Sequence, residues 1–273
     1  MAVLIVHGGS GAPPERERAD RQAAVERALD TGWAALDRGA LEAVLAAVRH
    51  MEDEPLLNAG VGASLNLDGE VELDAGVMEG ATRRVGAVGA VRDVRHPVDL
   101  ARAVMDDGRH VLLVADGASR FARERGVETC APEVLVTERQ RRNWRLDAAD
   151  TVGAVARDDL GRTAVAVSTG GMPRKLPGRL GDSPVPGAGF YADDRRGVAC
   201  GTGLGEGFMR LCLCHLAVLR MDGELSAEDA ARAAIEHLAG EVGGSGGVIL
   251  IDARGRAGVS HNTPFMAWSQ RSG

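Results

Sequence analysis

The chain opens on an apolar run, Ala2 to Val6, that reads as a strand leading into a loop at His7-Gly8-Gly9-Ser10-Gly11. Asp20 to Leu36, rich in alanine, and Leu41 to Met51 read as helices, and Asn58 to Ala63 (NAGVGA) as a turn-rich loop. Val71, Leu73, Ala75 and Val77 alternate with the period of a half-buried strand. Val85 to Val91 is a second strand of this half. Pro97 to Met105 is a helix with proline in its first turn. His110 to Ala115 suits a strand or a helix end, and Gly117 to Arg125 is helical. From Pro132 to Asp150 the chain is charged and weakly patterned, as in a solvated helix or a linker.

Strand patterns resume abruptly at Thr151. Thr151 to Ala156 (TVGAVA) and Thr163 to Ser168 (TAVAVS) form a pair joined by Asp158 to Arg162. A loop rich in glycine and proline runs from Gly170 to Gly189. Phe190 to Ala192 and Val198 to Cys200 are short strands, and Leu204 to Met221 and Ala227 to Glu241 are helices. Val248 to Asp252, Gly258 to His261 and Phe265 to Trp268 complete the strands. Strands cluster and helices cluster, and no repeat is visible, which predicts a layered α+β domain. Two sheets packed face to face with helices outside would accommodate it.

Composition narrows the function. The 273 residues suffice for one large domain or two small ones. A net charge of −7 does not favour nucleic acid or an anionic membrane. No segment approaches the ~20 apolar residues of a membrane span. The opening residues lack a basic leader and a signal-length apolar core, so a cytoplasmic location is expected. The pair Cys212 and Cys214 falls in an apolar helical run and reads as buried thiols pointing apart, which suits a reducing compartment. Seven histidines are scattered, and most should be surface or structural residues. Among 32 basic residues, Lys175 alone is a lysine, and it sits in the long loop.

Thr151 follows the charged stretch directly. A threonine hydroxyl is a weak nucleophile without an adjacent base. Cleavage of the Asp150–Thr151 bond would give Thr151 a free α-amine, whose ordinary pKa of about 7.7–8 makes it a general base near neutrality. Taken alone, a threonine opening a strand is usually structural. The neighbouring strand, however, ends in Ser168-Thr169-Gly170-Gly171, and a hairpin would bring that second hydroxyl beside Thr151. Arg179 and Asp182, three residues apart in PGRLGDSP, could hold a carboxylate and an ammonium, or could merely brace their loop against each other. Gly201-Thr202-Gly203-Leu204-Gly205 precedes a helix and could stabilise an oxyanion. It is not a dinucleotide fingerprint, because Glu206 occupies the sixth position of G-x-G-x-x-G.

TVGAVA, STGG, PGRLGDSP, GAGFYAD and GTGLGE occur in this order, after HGGSGA, EDEPLLNAGVGASLN and VELDAGVMEG and before GGSGGVILID and HNTPFMAW. This set resembles the plant-type asparaginase and isoaspartyl aminopeptidase family across most of the chain. The resemblance implies a single four-layer αββα sandwich made as a precursor. Cleavage between Asp150 and Thr151 would leave an α subunit of residues 1–150 and a β subunit of residues 151–273, and two such pairs would form a homodimer. By motif position, the resemblance makes Thr151 the nucleophile and Thr169 its assistant. Arg179 and Asp182 would grip the substrate's α-carboxylate and α-amine, with Gly205 beside them. Thr202 and Gly203 would form the oxyanion site, and Asn58 would lie near the nucleophile's α-amine. Family members often hold a structural sodium ion through backbone carbonyls, here those of Met51, Glu52, Glu54, Leu57, Ala59 and Val61. No cofactor for catalysis is implied. The segment before Thr151 is shorter than in typical relatives.

The implied activity is hydrolysis of L-asparagine and β-aspartyl dipeptides. An aspartylglucosaminidase of the same fold is an alternative that would suit a secreted protein with disulfides. A non-processing relative that binds amino acids is another. A cofactor-dependent α/β enzyme is the weakest reading, since no phosphate loop or metal-ligand motif stands out in the sequence.

Overall fold

A computed structural model describes residues 1–144, 151–222 and 225–273. The strands are β1 (Val3–Gly11), β2 (Leu73–Glu79), β3 (Val85–Val91), β4 (Leu112–Val114), β5 (Val152–Arg157), β6 (Thr163–Thr169), β7 (Phe190–Asp193), β8 (Gly197–Gly203), β9 (Gly246–Asp252), β10 (Ala257–His261) and β11 (Phe265–Ser272). The helices are α1 (Glu15–Ala34), α2 (Ala40–Glu52), α3 (Pro97–Asp107), α4 (Ala115–Arg125), α5 (Glu138–Asn143), α6 (Gly205–Leu211), α7 (Leu213–Arg220) and α8 (Ala227–Val242). One sheet has the order β11-β1-β5-β6-β2-β3-β4 and the other β10-β9-β8-β7.

Alternation along the strands builds three apolar layers. Leu4, Val6, Ala154, Ala156, Ala164 and Ala166 face α1 and α2, whereas Val3, Ile5, Val155, Val165 and Val167 face the second sheet. There they meet Phe190, Val198, Ile249 and Ile251. The far side of the second sheet, with Ala199, Val248 and Leu250, packs on α7 and α8. The order helix, sheet, sheet, helix is the four-layer αββα sandwich. Small residues set the spacing of the outer layer: a Cβ added at Gly32 of α1 would lie 2.9 Å from the Ala43 carbonyl oxygen and the Ala47 Cβ of α2.

Several local expectations are corrected. β1 runs on through His7 to Gly11, with a register shift between His7 and Ser10, because Ser10 and Gly11 pair again with Met266 and Phe265 of β11. The strand read from Val71, Leu73, Ala75 and Val77 is buried on both faces, since helices cover one side and the second sheet the other. The helix from Leu204 to Met221 is broken at Cys212, which adopts φ 47° and ψ 49°. That break leaves the Cys212 thiol exposed, while Cys214 is buried. In the charged stretch, Thr137 caps the short helix α5 by accepting from the Gln140 amide. Residues 145–150, including Asp150, lie outside the described residues.

Candidate active site

The hairpin of β5 and β6 places the site. Asp158 closes its turn by accepting from the Leu160 and Arg162 amides at 3.0 Å each. Val152 then faces Ser168, so the start of β5 lies beside the end of β6. The Thr151 hydroxyl is 3.2 Å from the Thr169 hydroxyl. The other sheet supplies Thr202 at the end of β8, and its hydroxyl oxygen accepts from the Thr151 backbone nitrogen at 3.3 Å. The Gly171 amide donates to Thr169 Oγ1 at 2.9 Å.

The loop between β6 and β7 passes from one sheet to the other across this point. It brings Arg179, Gly181, Asp182 and Ser183 onto the same cavity as Thr151, Thr169, Gly203 and Gly205. Met172 and Leu204 add apolar wall. Asp182 is 3% exposed, and its Oδ2 makes no hydrogen bond among the described residues. Burial pushes its carboxyl up to about 7, against the pull of Arg179. The neighbouring Ser183 hydroxyl is likewise buried without a partner. Two unsatisfied polar groups on one cavity wall are costly unless a ligand completes them.

Arg179 does not brace its loop through Asp182. Its guanidinium pairs with Glu206 at the start of α6, Nε to Oε1 at 3.0 Å and Nη2 to both carboxylate oxygens at 2.8 Å. Sequence spacing gave no signal for this partner, which lies in another motif. Gly205 leaves room for the arrangement, since a Cβ there would lie 2.6 Å from Asp182 Oδ1 and 3.2 Å from Arg179 Nη2.

Asn58 stands behind the cavity wall. It accepts from the Ser64 amide at 2.6 Å and donates to the Gly171 carbonyl at 2.7 Å, so it braces the turn that holds the Thr169 hydroxyl. His7, which the sequence did not single out for this site, is fully buried on β1 beside Gly153 of β5, with Nε2 3.3 Å from Cys200 Sγ on the second sheet. Burial pushes the imidazole down to about 3, favouring its neutral form.

The loop after α2 bears on the sodium expectation. A Cβ added at Gly60 would lie 2.2 Å from the Glu52 carbonyl oxygen. One at Gly62 would lie 1.9 Å from that of Leu57 and 3.0 Å from that of Glu54. The carbonyls of Met51, Glu54 and Ala59 accept from the amides of Glu54, Leu57 and Gly62, and no side-chain group of three or more His, Cys, Asp or Glu suited to a metal occurs among the described residues.

A family model described as asparaginase matches residues 1–150 and 145–273. The chain is 43% identical to a plant-type L-asparaginase of Pyrobaculum calidifontis, covering 98% of this chain and 96% of that protein. It is 40% identical to the isoaspartyl peptidase/L-asparaginase of Danio rerio (98% and 92% covered) and to the isoaspartyl peptidase of Salmonella typhimurium (98% and 95% covered).

Proposed function

The chain belongs to the asparaginase family and is an amide hydrolase, and from that premise we propose that it hydrolyses L-asparagine and β-aspartyl dipeptides with Thr151 as nucleophile. The observation that supports this most is the meeting of the Thr151 hydroxyl, Thr169, Arg179 and Asp182 on one cavity.

Maturation comes first. The Thr151 hydroxyl attacks the Asp150 carbonyl, the peptide bond becomes an ester, and water hydrolyses the ester. Thr151 is left with a free α-amine. In turnover that amine takes the hydroxyl proton as Oγ1 attacks the substrate's side-chain carbonyl. The tetrahedral oxyanion is met by the Thr202 hydroxyl proton and the Gly203 amide. On collapse the α-ammonium returns its proton to the leaving nitrogen, which departs as ammonia or as the amine of an amino acid. Water then cleaves the aspartyl ester by the same route.

Binding follows from charge and shape. The Glu206 carboxylate occupies the bidentate position on Arg179, and a substrate α-carboxylate offers the same geometry. Glu206 is about half exposed, so releasing it to water costs little. The α-ammonium completes Asp182. Asparagine and a β-aspartyl dipeptide present these groups at the same distance from the scissile carbonyl, so both are accepted. The dipeptide is the better substrate, because its additional atoms can bind in the transition state. The test is leucine release from β-Asp-Leu and α-Asp-Leu by fully matured protein. Release from the β-linked peptide alone is expected; equal release from both would overturn the assignment.

The carbonyls of Met51, Glu52, Glu54, Leu57, Ala59 and Val61 would hold a sodium ion, which would fix the loop carrying Asn58. Replacing sodium by a bulky organic cation should lower the melting temperature, and an unchanged melting temperature would argue against the ion. Two cleaved αβ pairs would associate as a homodimer.

A further inference from the structure

The only lysine of the chain is buried. Lys175 is 2% exposed, and its ammonium donates to the Glu72 carbonyl at 2.9 Å and lies 3.9 Å from Asp74 Oδ2. Neither side chain of that pair touches solvent. Burial disfavours the charge on both, lowering the lysine and raising the aspartate. A buried ion pair of this kind adds little net stability.

Its place in the fold is informative. Asp74 lies on β2 directly opposite Thr169 in register. Its Oδ1 accepts from the Ala90 amide at 2.9 Å, while the Arg179 guanidinium and the Gly181 amide favour its charged form. Just before β2, the Glu72 carboxylate accepts from the Gly178 amide at 3.1 Å on both oxygens. The loop is therefore fastened to residues 72–74 at Lys175, at Gly178 and at Gly181. Beneath its start, the Lys175 Nζ sits 2.9 Å from where a Cβ on Gly171 would be, under the turn that binds Thr169 Oγ1.

We propose that Lys175, Glu72 and Asp74 are positioning residues that strap the Arg179–Asp182 segment to β2 and so fix the head-group subsite relative to Thr169. The strap acts through the loop and touches no substrate atom. Kinetically it governs binding of the α-amine and α-carboxylate rather than the chemical step. This rests on the function proposed above, so the test carries a second readout that does not.

The variant is Lys175→Met, purified as the full chain and matured. Its KM should rise ~10-fold or more for asparagine and β-Asp-Leu alike, with kcat within ~3-fold of wild type, the pattern of lost uniform binding. Inhibition by L-aspartate should weaken by the same factor. Amide hydrogen exchange should speed up in residues 176–182 and stay unchanged in β9. Unchanged KM and exchange, or a fall in kcat at constant KM, would overturn the proposal. If Lys175→Met does not accumulate, Lys175→Met with Asp74→Asn removes the unpaired charge. The double variant should fold and still show the raised KM and faster exchange; a wild-type KM in it would also overturn the strap. Should wild-type protein hydrolyse neither substrate, the functional reading fails, and exchange in residues 176–182 alone decides the strap.

Discussion

In the proposed reaction Asp182 and Arg179 would hold opposite charges of one head group, and their surroundings make them testable separately. Asp182 titrates at about 7 because it is buried. Its folded pKa lies above the unfolded value of about 3.9, so the stability it contributes is present at low pH and is lost as pH rises through about 7. The ionised form is the one that binds an ammonium. Inhibition by L-aspartate should accordingly tighten as pH rises across about 7, and Asp182→Asn should flatten that dependence. A variant that kept the wild-type pH profile would remove Asp182 from the subsite. Arg179→Lys exchanges a bidentate fork for a point charge, and the loss should be roughly 1.5–3 kcal/mol in kcat/KM on matured protein. An unchanged kcat/KM would show that the α-carboxylate binds elsewhere.

The elements explain how much of this could be read from the chain. Alternation made β5 and β6 visible as a hairpin, and the hairpin alone puts Thr169 beside Thr151. The contribution of β8 was not legible from pattern, because sheet stacking leaves no period of its own; Thr202 was identified through its motif. Cys212 looked buried because its run is apolar, but a left-handed residue breaks the helix and turns the thiol outward. Glu206 and Lys175 acquire meaning only when the loop folds back over β2 and α6. Packing between the sheets depends on Phe190, fully buried, whose ring approaches to 2.3 Å of where a Cβ on Gly76 would sit. Phe190→Ala should destabilise by about 3–5 kcal/mol, read from denaturant unfolding. A loss below about 1 kcal/mol would mean that this layer collapses around the gap, unlike a close-packed core.

At the scale of the whole molecule, one continuous chain threads both sheets and meets itself at Thr151. The Thr151 hydroxyl comes from the larger sheet, the Thr202 hydroxyl from the smaller, and the loop carrying Arg179 and Asp182 crosses between them. A cut before Thr151 would leave each piece with strands in the larger sheet, β1 to β4 in one and β5, β6 and β11 in the other, so the pieces should stay together in native buffer. Among the described residues no helix is long and apolar enough to cross a membrane. The central claim is that Thr151 becomes an N-terminal residue and then acts as the nucleophile. Intact mass under denaturing conditions, with terminal sequencing, tests it most directly on wild type and Thr151→Ala in parallel. Wild type should give two masses, matching residues 1–150 and 151–273, with the second piece beginning TVGAVA, and Thr151→Ala should remain a single chain without activity. A wild-type chain that stays whole yet hydrolyses asparagine, or a Thr151→Ala chain that is still cut at this bond, would contradict it.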